Sequence, residues 1–280
     1  MPELPEVECV RRMMRSRLEG KKIVAVTVAP DEIVLSGTPP EAVVEVLMGH
    51  HVRDVGRKGK YWWLELDEKP WVFGHLGMSG WIRELNSPSR RLHSHGNAPL
   101  DDEDGVPRFL KLLIEAEDGT RIAFTDGRRL GRIWLAEGPD KVAAIQKLGF
   151  DSYEELPTSA ELGKVLAKRK APMKAVLLDQ SVFAGVGNYL ADEILYHAKI
   201  APNRTGASLS EEEVGAIHRA VKSVIGHAVK VDADYEKFPA GWLFHHRWGG
   251  DKGAERIGNH SIVRESIGGR TTAWVPDVQK

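Results

Sequence analysis

The chain has 280 residues, 42% of them hydrophobic and 28% charged, with a net charge of −1. This is an ordinary globular composition with room for two domains, and it excludes binding nucleic acid through bulk positive charge. No apolar run is long enough to span a bilayer, and Glu3, Glu6 and Glu8 stand where a signal peptide would need its apolar core.

Leu4, Val7, Val10, Met14 and Leu18 recur at spacings of three and four, which predicts a helix over residues 3–18 with Pro2 and the glutamates at its start and Gly20 at its end. A β-rich stretch follows, with strands expected at Lys22–Val28, Tyr61–Leu66, Trp71–His75, Phe109–Ala116, Arg121–Phe124 and Arg132–Leu135. Asn86–Pro107, rich in Pro, Asp, Ser and His, reads as a long surface loop. The character changes near residue 138. Helices are expected at Asp140–Lys147, Ala160–Ala167, Pro172–Leu178, Asn188–His197 and Ser210–Val229, and strands return at Trp242–Arg247, Ser261–Arg264 and Thr271–Val275. The fold class is α+β multidomain, divided as 1–137, 138–237 and 238–280.

Cys9 is the single cysteine. That excludes an intramolecular disulfide and any zinc site with two or more cysteine ligands, and it suits a reducing intracellular compartment. His93 and His95, and the adjacent His245 and His246, lack a matching set of ligands, so no metal and no cofactor is expected. The first pair reads as loop residues and the second as alternating faces of a hairpin. Basic residues cluster at Arg11–Arg17, Arg53–Lys60, Arg128–Arg132 and Lys164–Lys174, while acid gathers at Asp101–Asp104 and Glu211–Glu213. Phosphate binding requires a local basic face, not a basic total.

The N-terminus carries the first chemical signal. Removal of Met1 leaves Pro2 with a free secondary amine. An α-amino group titrates near 7.7–8.0, far below lysine, and the positive end of a helix lowers it further. Such an amine attacking a sugar C1′ forms an iminium directly, which links base loss to strand cleavage by elimination. Glu3 is the adjacent carboxylate able to move protons, and Glu6 stands with it at the helix start. Taken alone, proline and two glutamates are also what any helix start uses.

Further motifs decide between these readings. Met1-Pro2-Glu3-Leu4-Pro5-Glu6, Gly59-Lys60-Tyr61, His75-Leu76-Gly77-Met78-Ser79-Gly80, Asp126-Gly127-Arg128-Arg129-Leu130-Gly131, Asp179-Gln180 and Gly185-Val186-Gly187-Asn188 follow one another along the chain. Together they resemble the formamidopyrimidine-DNA glycosylases, in the family's order and over nearly the whole chain. The resemblance implies an N-terminal β-sandwich with flanking helices, a helix–two-turn–helix domain and a terminal β-hairpin, with DNA in the groove between the two domains. It implies a bifunctional glycosylase and abasic-site lyase whose catalytic residues are Pro2, Glu3, Glu6 and Lys60.

Met78, Arg128 and Leu130 resemble the trio that fills the gap left by a flipped nucleotide, since chemistry on a base requires removing it from the stack. Leu130 stands where the family often has phenylalanine. Asn188, expected to cap its helix, matches the phosphate-binding asparagine; Lys174, which the resemblance places among the DNA-binding residues, and Glu193 match positions near the site. The C-terminus lacks the four-cysteine finger of bacterial members and looks like the zincless finger of plant-type members, with Arg270 as its phosphate-binding arginine and Trp242, Phe244 and Trp274 packing in place of the metal.

The implied partner is double-stranded DNA carrying oxidised bases or abasic sites, handled by a monomer inside the cell, in the nucleoid of a bacterium or the nucleus of a eukaryote, with no membrane partner. Formamidopyrimidines are the expected substrate. Val231–Gly241 is short where bacterial members carry the loop that caps 8-oxoguanine, so 8-oxoguanine stays open. An oxidised-pyrimidine or hydantoin preference, or a non-catalytic binder of damaged DNA, is the alternative.

Overall fold

The computed structural model describes residues 2–85, 105–248 and 256–280. His93, His95 and most of the expected loop Asn86–Pro107 lie outside them. The chain forms two compact units, Met1–Gln146 with Asp232–Tyr235, and Lys147–Val231 with Glu236–Lys280.

The first unit opens with α1 (Leu4–Leu18), whose buried stripe is the predicted one: Leu4, Val7, Val10, Met14 and Leu18. After β1 (Ile23–Val28) comes α2 (Pro40–Leu47), then β2 (Val52–Lys58), β3 (Tyr61–Leu66), β4 (Trp71–His75), β5 (Trp81–Glu84), β6 (Leu110–Ala116), β7 (Arg121–Thr125) and β8 (Arg132–Ala136). They make two antiparallel four-stranded sheets, ordered β1-β6-β7-β5 and β2-β3-β4-β8. One apolar core draws on both, with Ile23, Leu112, Ile114 and Phe124 from the first sheet and Val55, Trp62, Leu64 and Val72 from the second, together with Val7 and Met14 of α1. Period-two alternation places Trp62, Leu64 and Leu66 inward along β3.

Three elements of this unit escaped the sequence pattern. α2 is only eight residues long and buries just Val43 and Leu47, too short a period to stand out. β2 hides behind its charges: Arg57 occupies an inward place, buried like Val52 and Val55. β5 spans four residues. The helix expected at Asp140–Lys147 is instead a 3₁₀ turn, Pro139–Lys141, and a single turn α3 (Ala143–Gln146), too short to propagate.

The second unit pairs β9 (Phe150–Asp151) in parallel with β10 (Phe183–Ala184) and carries α4 (Ser159–Leu166), α5 (Met173–Leu178), α6 (Asn188–Ala198) and α7 (Glu211–Lys230). Capping boxes Thr158–Glu161 and Ser210–Glu213 start α4 and α7. α6 is buried from Tyr189 to Leu195, as befits a helix packed on several sides. The tail contributes β11 (Arg256–Ile257), β12 (His260–Ser261), β13 (Val263–Ile267) and β14 (Arg270–Trp274). β13 and β14 pair from Val263↔Trp274 to Ile267↔Arg270. The turn between them is Gly268-Gly269 with φ of 62° and 74°, the left-handed pair a tight hairpin needs.

The strand expected at Trp242–Arg247 does not form. Leu243–His245 is a 3₁₀ turn. The amides of Leu243 and Phe244 donate to the Glu193 carboxylate at 3.1 and 2.7 Å, so a side chain fifty residues away supplies what a neighbouring strand would have supplied. His245 and His246 therefore do not alternate across a hairpin; the His245 Nε2 lies 3.1 Å from the Phe238 carbonyl. Trp242 and Phe244 pack with Phe238, Tyr189 and His227. Trp274 is not part of that aromatic group: it is half-buried, and its indole N–H donates to Glu265 at 2.7 Å. The hairpin's own core is Leu243, Ile257, Ile262, Ala273 and Val275.

Candidate active site

Pro2 is buried and immediately precedes Glu3, the N-cap of α1. Glu3 and Glu6 close a reciprocal capping box, in which the Glu3 amide donates to Glu6 Oε2 at 2.8 Å. The Tyr235 hydroxyl donates to Glu6 Oε1 at 2.5 Å. Burial pushes the Glu6 carboxyl above its ordinary range, against the pull of that hydrogen bond. Pro2 thus sits at the positive end of a fifteen-residue helix beside two buried carboxylates, one of them biased towards holding a proton.

A second set of contacts ties α1 to the turn that carries Lys60. Glu8 is fully buried and receives Arg57 Nε at 2.9 Å, Arg11 at 2.7 and 2.9 Å, and Arg12 at 2.8 Å. Arg57 also donates to the Gly59 carbonyl at 3.0 Å. Gly59, at φ 57°, makes the turn, and Lys60 follows it directly. Lys58 ends β2, on the other side of that turn. Neither Glu8 nor Arg57 was singled out by sequence; an acid and a base 49 residues apart carry no local pattern.

Guanidinium hydrogen bonds overcome the cost of burial and hold the Glu8 carboxyl down to about 2, below its ordinary 4.5. A depressed carboxyl stabilises the fold above its unfolded pKa and loses that contribution as pH falls through the folded value. Glu8→Gln is therefore expected to be less stable than the parent at pH 7 by about 3 kcal/mol. Its stability should also change less steeply between pH 4.5 and 2, as followed by chemical denaturation across that window.

His75 pairs across the sheet with Tyr61. Burial, then the charges of Lys60 and Arg132, lower its pKa to about 4. Its Nδ1 accepts from the Gly77 amide at 2.9 Å, so the neutral ring carries its proton on Nε2.

Two loops carry the expected gap-filling trio, and both are fixed by one buried carboxylate. Met78 and Leu130 are 46% and 37% exposed, not the core residues that such side chains usually become, and Arg128 is exposed as well. Asp126 Oδ1 accepts from the Ser79 hydroxyl at 2.6 Å and from the Arg128 amide at 3.1 Å, while Oδ2 accepts from the Gly131 amide at 2.6 Å. Gly77, at φ 62°, leaves room for the Leu130 carbonyl, which would stand 2.2 Å from a Cβ there. Between Arg128 and Leu130, Arg129 adopts a left-handed φ of 57° and pairs with Asp31, which Lys111 also holds at 2.8 Å.

In the second unit, Asn188 is the first residue of α6, not its cap, a place taken by Gly187. Its amide donates to the Thr271 carbonyl of β14 at 3.0 Å, and its buried Oδ1 has no hydrogen-bond partner among the described residues. Arg270 is exposed at the hairpin turn. Lys174 is fully buried, and its ammonium donates to the Asn188 carbonyl at 2.8 Å and to Asp192 at 2.5 Å. Asp192 also takes Arg247 at 2.7 Å and the Ala273 amide at 3.3 Å, joining α5, α6 and the hairpin. Lys174, expected to bind DNA, is instead placed as a support for α6 and β14, its ammonium turned inward to Asn188 and Asp192. Among the described residues no group of three or more His, Cys, Asp or Glu side chains could hold a metal ion.

Residues 1–133 match the formamidopyrimidine-DNA glycosylase N-terminal domain, and residues 148–239 match that family's H2TH domain. The formamidopyrimidine-DNA glycosylase of Arabidopsis thaliana is 40% identical over all of this chain and 71% of its own length. The chain belongs to the formamidopyrimidine-DNA glycosylase family. The family's enzyme from Acidiphilium cryptum (strain JF-5) is 35% identical over 89% of this chain and 86% of its own. Two structures of the Lactococcus lactis enzyme share the fold at 24% identity. One is bound to abasic-site DNA, with a TM-score of 0.74 and 99% of each chain covered. The other holds DNA with an N7-benzyl-Fapy-dG, with a TM-score of 0.78 and both chains covered in full.

Proposed function

We infer that this protein is a base-excision repair enzyme: a DNA glycosylase that removes oxidised purines from double-stranded DNA and, as an abasic-site lyase, cuts the strand. Family membership carries the reading, and the start of α1 supplies the chemistry. The Pro2 nitrogen attacks C1′, the damaged base leaves, and the resulting iminium acidifies the C2′ proton; losing that proton expels the 3′ phosphate. Glu3 moves protons beside the opened sugar. Glu6, held by Tyr235 and the Glu3 amide, fixes the helix start. Lys60 and the Nε2–H of His75 face phosphate near the lesion, and Met78, Arg128 and Leu130 fill the gap in the duplex. The enzyme acts inside the cell, where its DNA lies.

Ring-opened purines and hydantoins are favoured over 8-oxoguanine. Val231–Gly241 is short, and within it Tyr235 is bound to Glu6 while Ala233 packs on Trp81. Such a segment has little length left to fold over a base. Incubating the protein with duplexes bearing each lesion, in the presence of borohydride, tests both points. A covalent protein–DNA adduct is expected, formed fastest on formamidopyrimidine; no adduct on any lesion would leave only a binder of damaged DNA.

The finger hairpin is proposed to contribute affinity without metal. Arg270→Ala should weaken binding to damaged and undamaged duplex alike and reduce the salt slope by about one unit. Normal binding by that variant at several salt concentrations would remove the hairpin from the interface. The absence of cysteines beyond Cys9 leads to a companion expectation. Prolonged chelation should leave excision unchanged, and elemental analysis should find no stoichiometric zinc.

A further inference from the structure

Phe109 was expected to begin a strand, but β6 begins one residue later and the ring is 52% exposed. Its backbone is left-handed at φ 61°, a region that bulky residues avoid. Its place is held by its neighbours. The Asp126 amide donates to the Phe109 carbonyl at 3.0 Å, and the ring lies over Gly127, 3.1 Å from where a Cβ would stand.

Asp126 is therefore tied to three segments, and each presents an exposed apolar side chain at or next to the bonded residue: Met78 beside Ser79, Leu130 beside Gly131, and Phe109 itself. The surroundings are basic. The Arg108 guanidinium lies 5.4 Å from the Phe109 ring centre, and Arg128 is exposed one residue beyond Gly127. Exposed aromatic and aliphatic side chains among arginines form a surface suited to unstacked bases beside phosphates.

We propose that Phe109 is a further DNA-contacting residue, whose ring stacks on a base exposed when the damaged nucleotide leaves the duplex. It supplies the aromatic face that Leu130 lacks. The inference rests on the glycosylase reading.

The test uses the full chain and two duplexes, one undamaged and one carrying a tetrahydrofuran abasic analogue with 2-aminopurine opposite it or one step to either side. Phe109→Gly suits the left-handed backbone, so it should fold and melt no lower than the parent. It should bind the analogue duplex about tenfold more weakly, with undamaged duplex changed less than twofold. Phe109→Leu should behave like Phe109→Gly, and Phe109→Tyr should restore both affinity and the quenching of 2-aminopurine.

Equal affinity of the Gly variant and the parent for the analogue, equal losses on both duplexes, or a lowered melting temperature would each overturn the proposal. Borohydride trapping of the parent on abasic DNA separates its failure from that of the function. If the parent traps but Phe109 variants bind normally, Phe109 alone is wrongly assigned; if the parent neither traps nor prefers the analogue, both inferences fall.

Discussion

Pro2→Gly, with Met1 removed, is expected to bind an abasic-analogue duplex as the parent does and to lose excision by about 10³-fold. Glycine keeps an α-amine at the head of α1 but exchanges a secondary amine for a primary one, so the charged iminium no longer forms directly. Glu3→Gln should also leave affinity nearly unchanged and slow single-turnover excision by roughly 10²-fold, because it removes a proton carrier from the same corner. Mass spectrometry of the borohydride-trapped parent should place DNA on Pro2. DNA trapped on Lys60 or another lysine, with Pro2 unmodified, would transfer the nucleophile's role.

The largest expected effect on stability comes from Asp192. Its carboxylate stands between the buried ammonium of Lys174 and the guanidinium of Arg247, and it accepts the Ala273 amide. Asp192→Ala removes the buried carboxylate that both cations share, which costs about 3–5 kcal/mol. Urea denaturation followed by tryptophan fluorescence should show that loss. Replacing the pair by apolar side chains, Lys174→Met with Asp192→Leu, should recover part of it. A loss below about 1 kcal/mol for the single change would mean that water reaches the cluster and screens it.

How far the sequence could be read depended on the range of the interactions involved. α1 and α7 were legible because their apolar spacing and caps lie within a few residues of each other. β3 and β4 stood out through dense aromatic and branched residues. β2 did not, because its inward Arg57 is neutralised by Glu8 of a different element. The turn at Leu243–His245 was read as a strand because its residues suit one; the carboxylate that bends it belongs to α6. Asn188 looked like a cap by type, yet its amide is taken by β14 and Gly187 fills the cap position. The proposed site residues come from motifs, whereas the groups packed around them, Glu8, Asp31, Asp126, Asp192 and Tyr235, act over distances that no local pattern records. Asp126 was quoted within a motif, but its role as a link between loops appears only in three dimensions.

The Asp192 cluster also bears on the conditions under which such an enzyme works. Thiolates that hold a metal are among the first groups oxidants attack, and a finger built on them can lose its metal as they climb the oxidation ladder. Here the hairpin is fastened by a carboxylate, an ammonium, a guanidinium and backbone amides, none of which peroxide modifies. The amine proposed as the nucleophile is likewise not a thiol. An enzyme that removes oxidised bases from DNA thus keeps this hairpin fastened under oxidants that would strip a metal from thiolates.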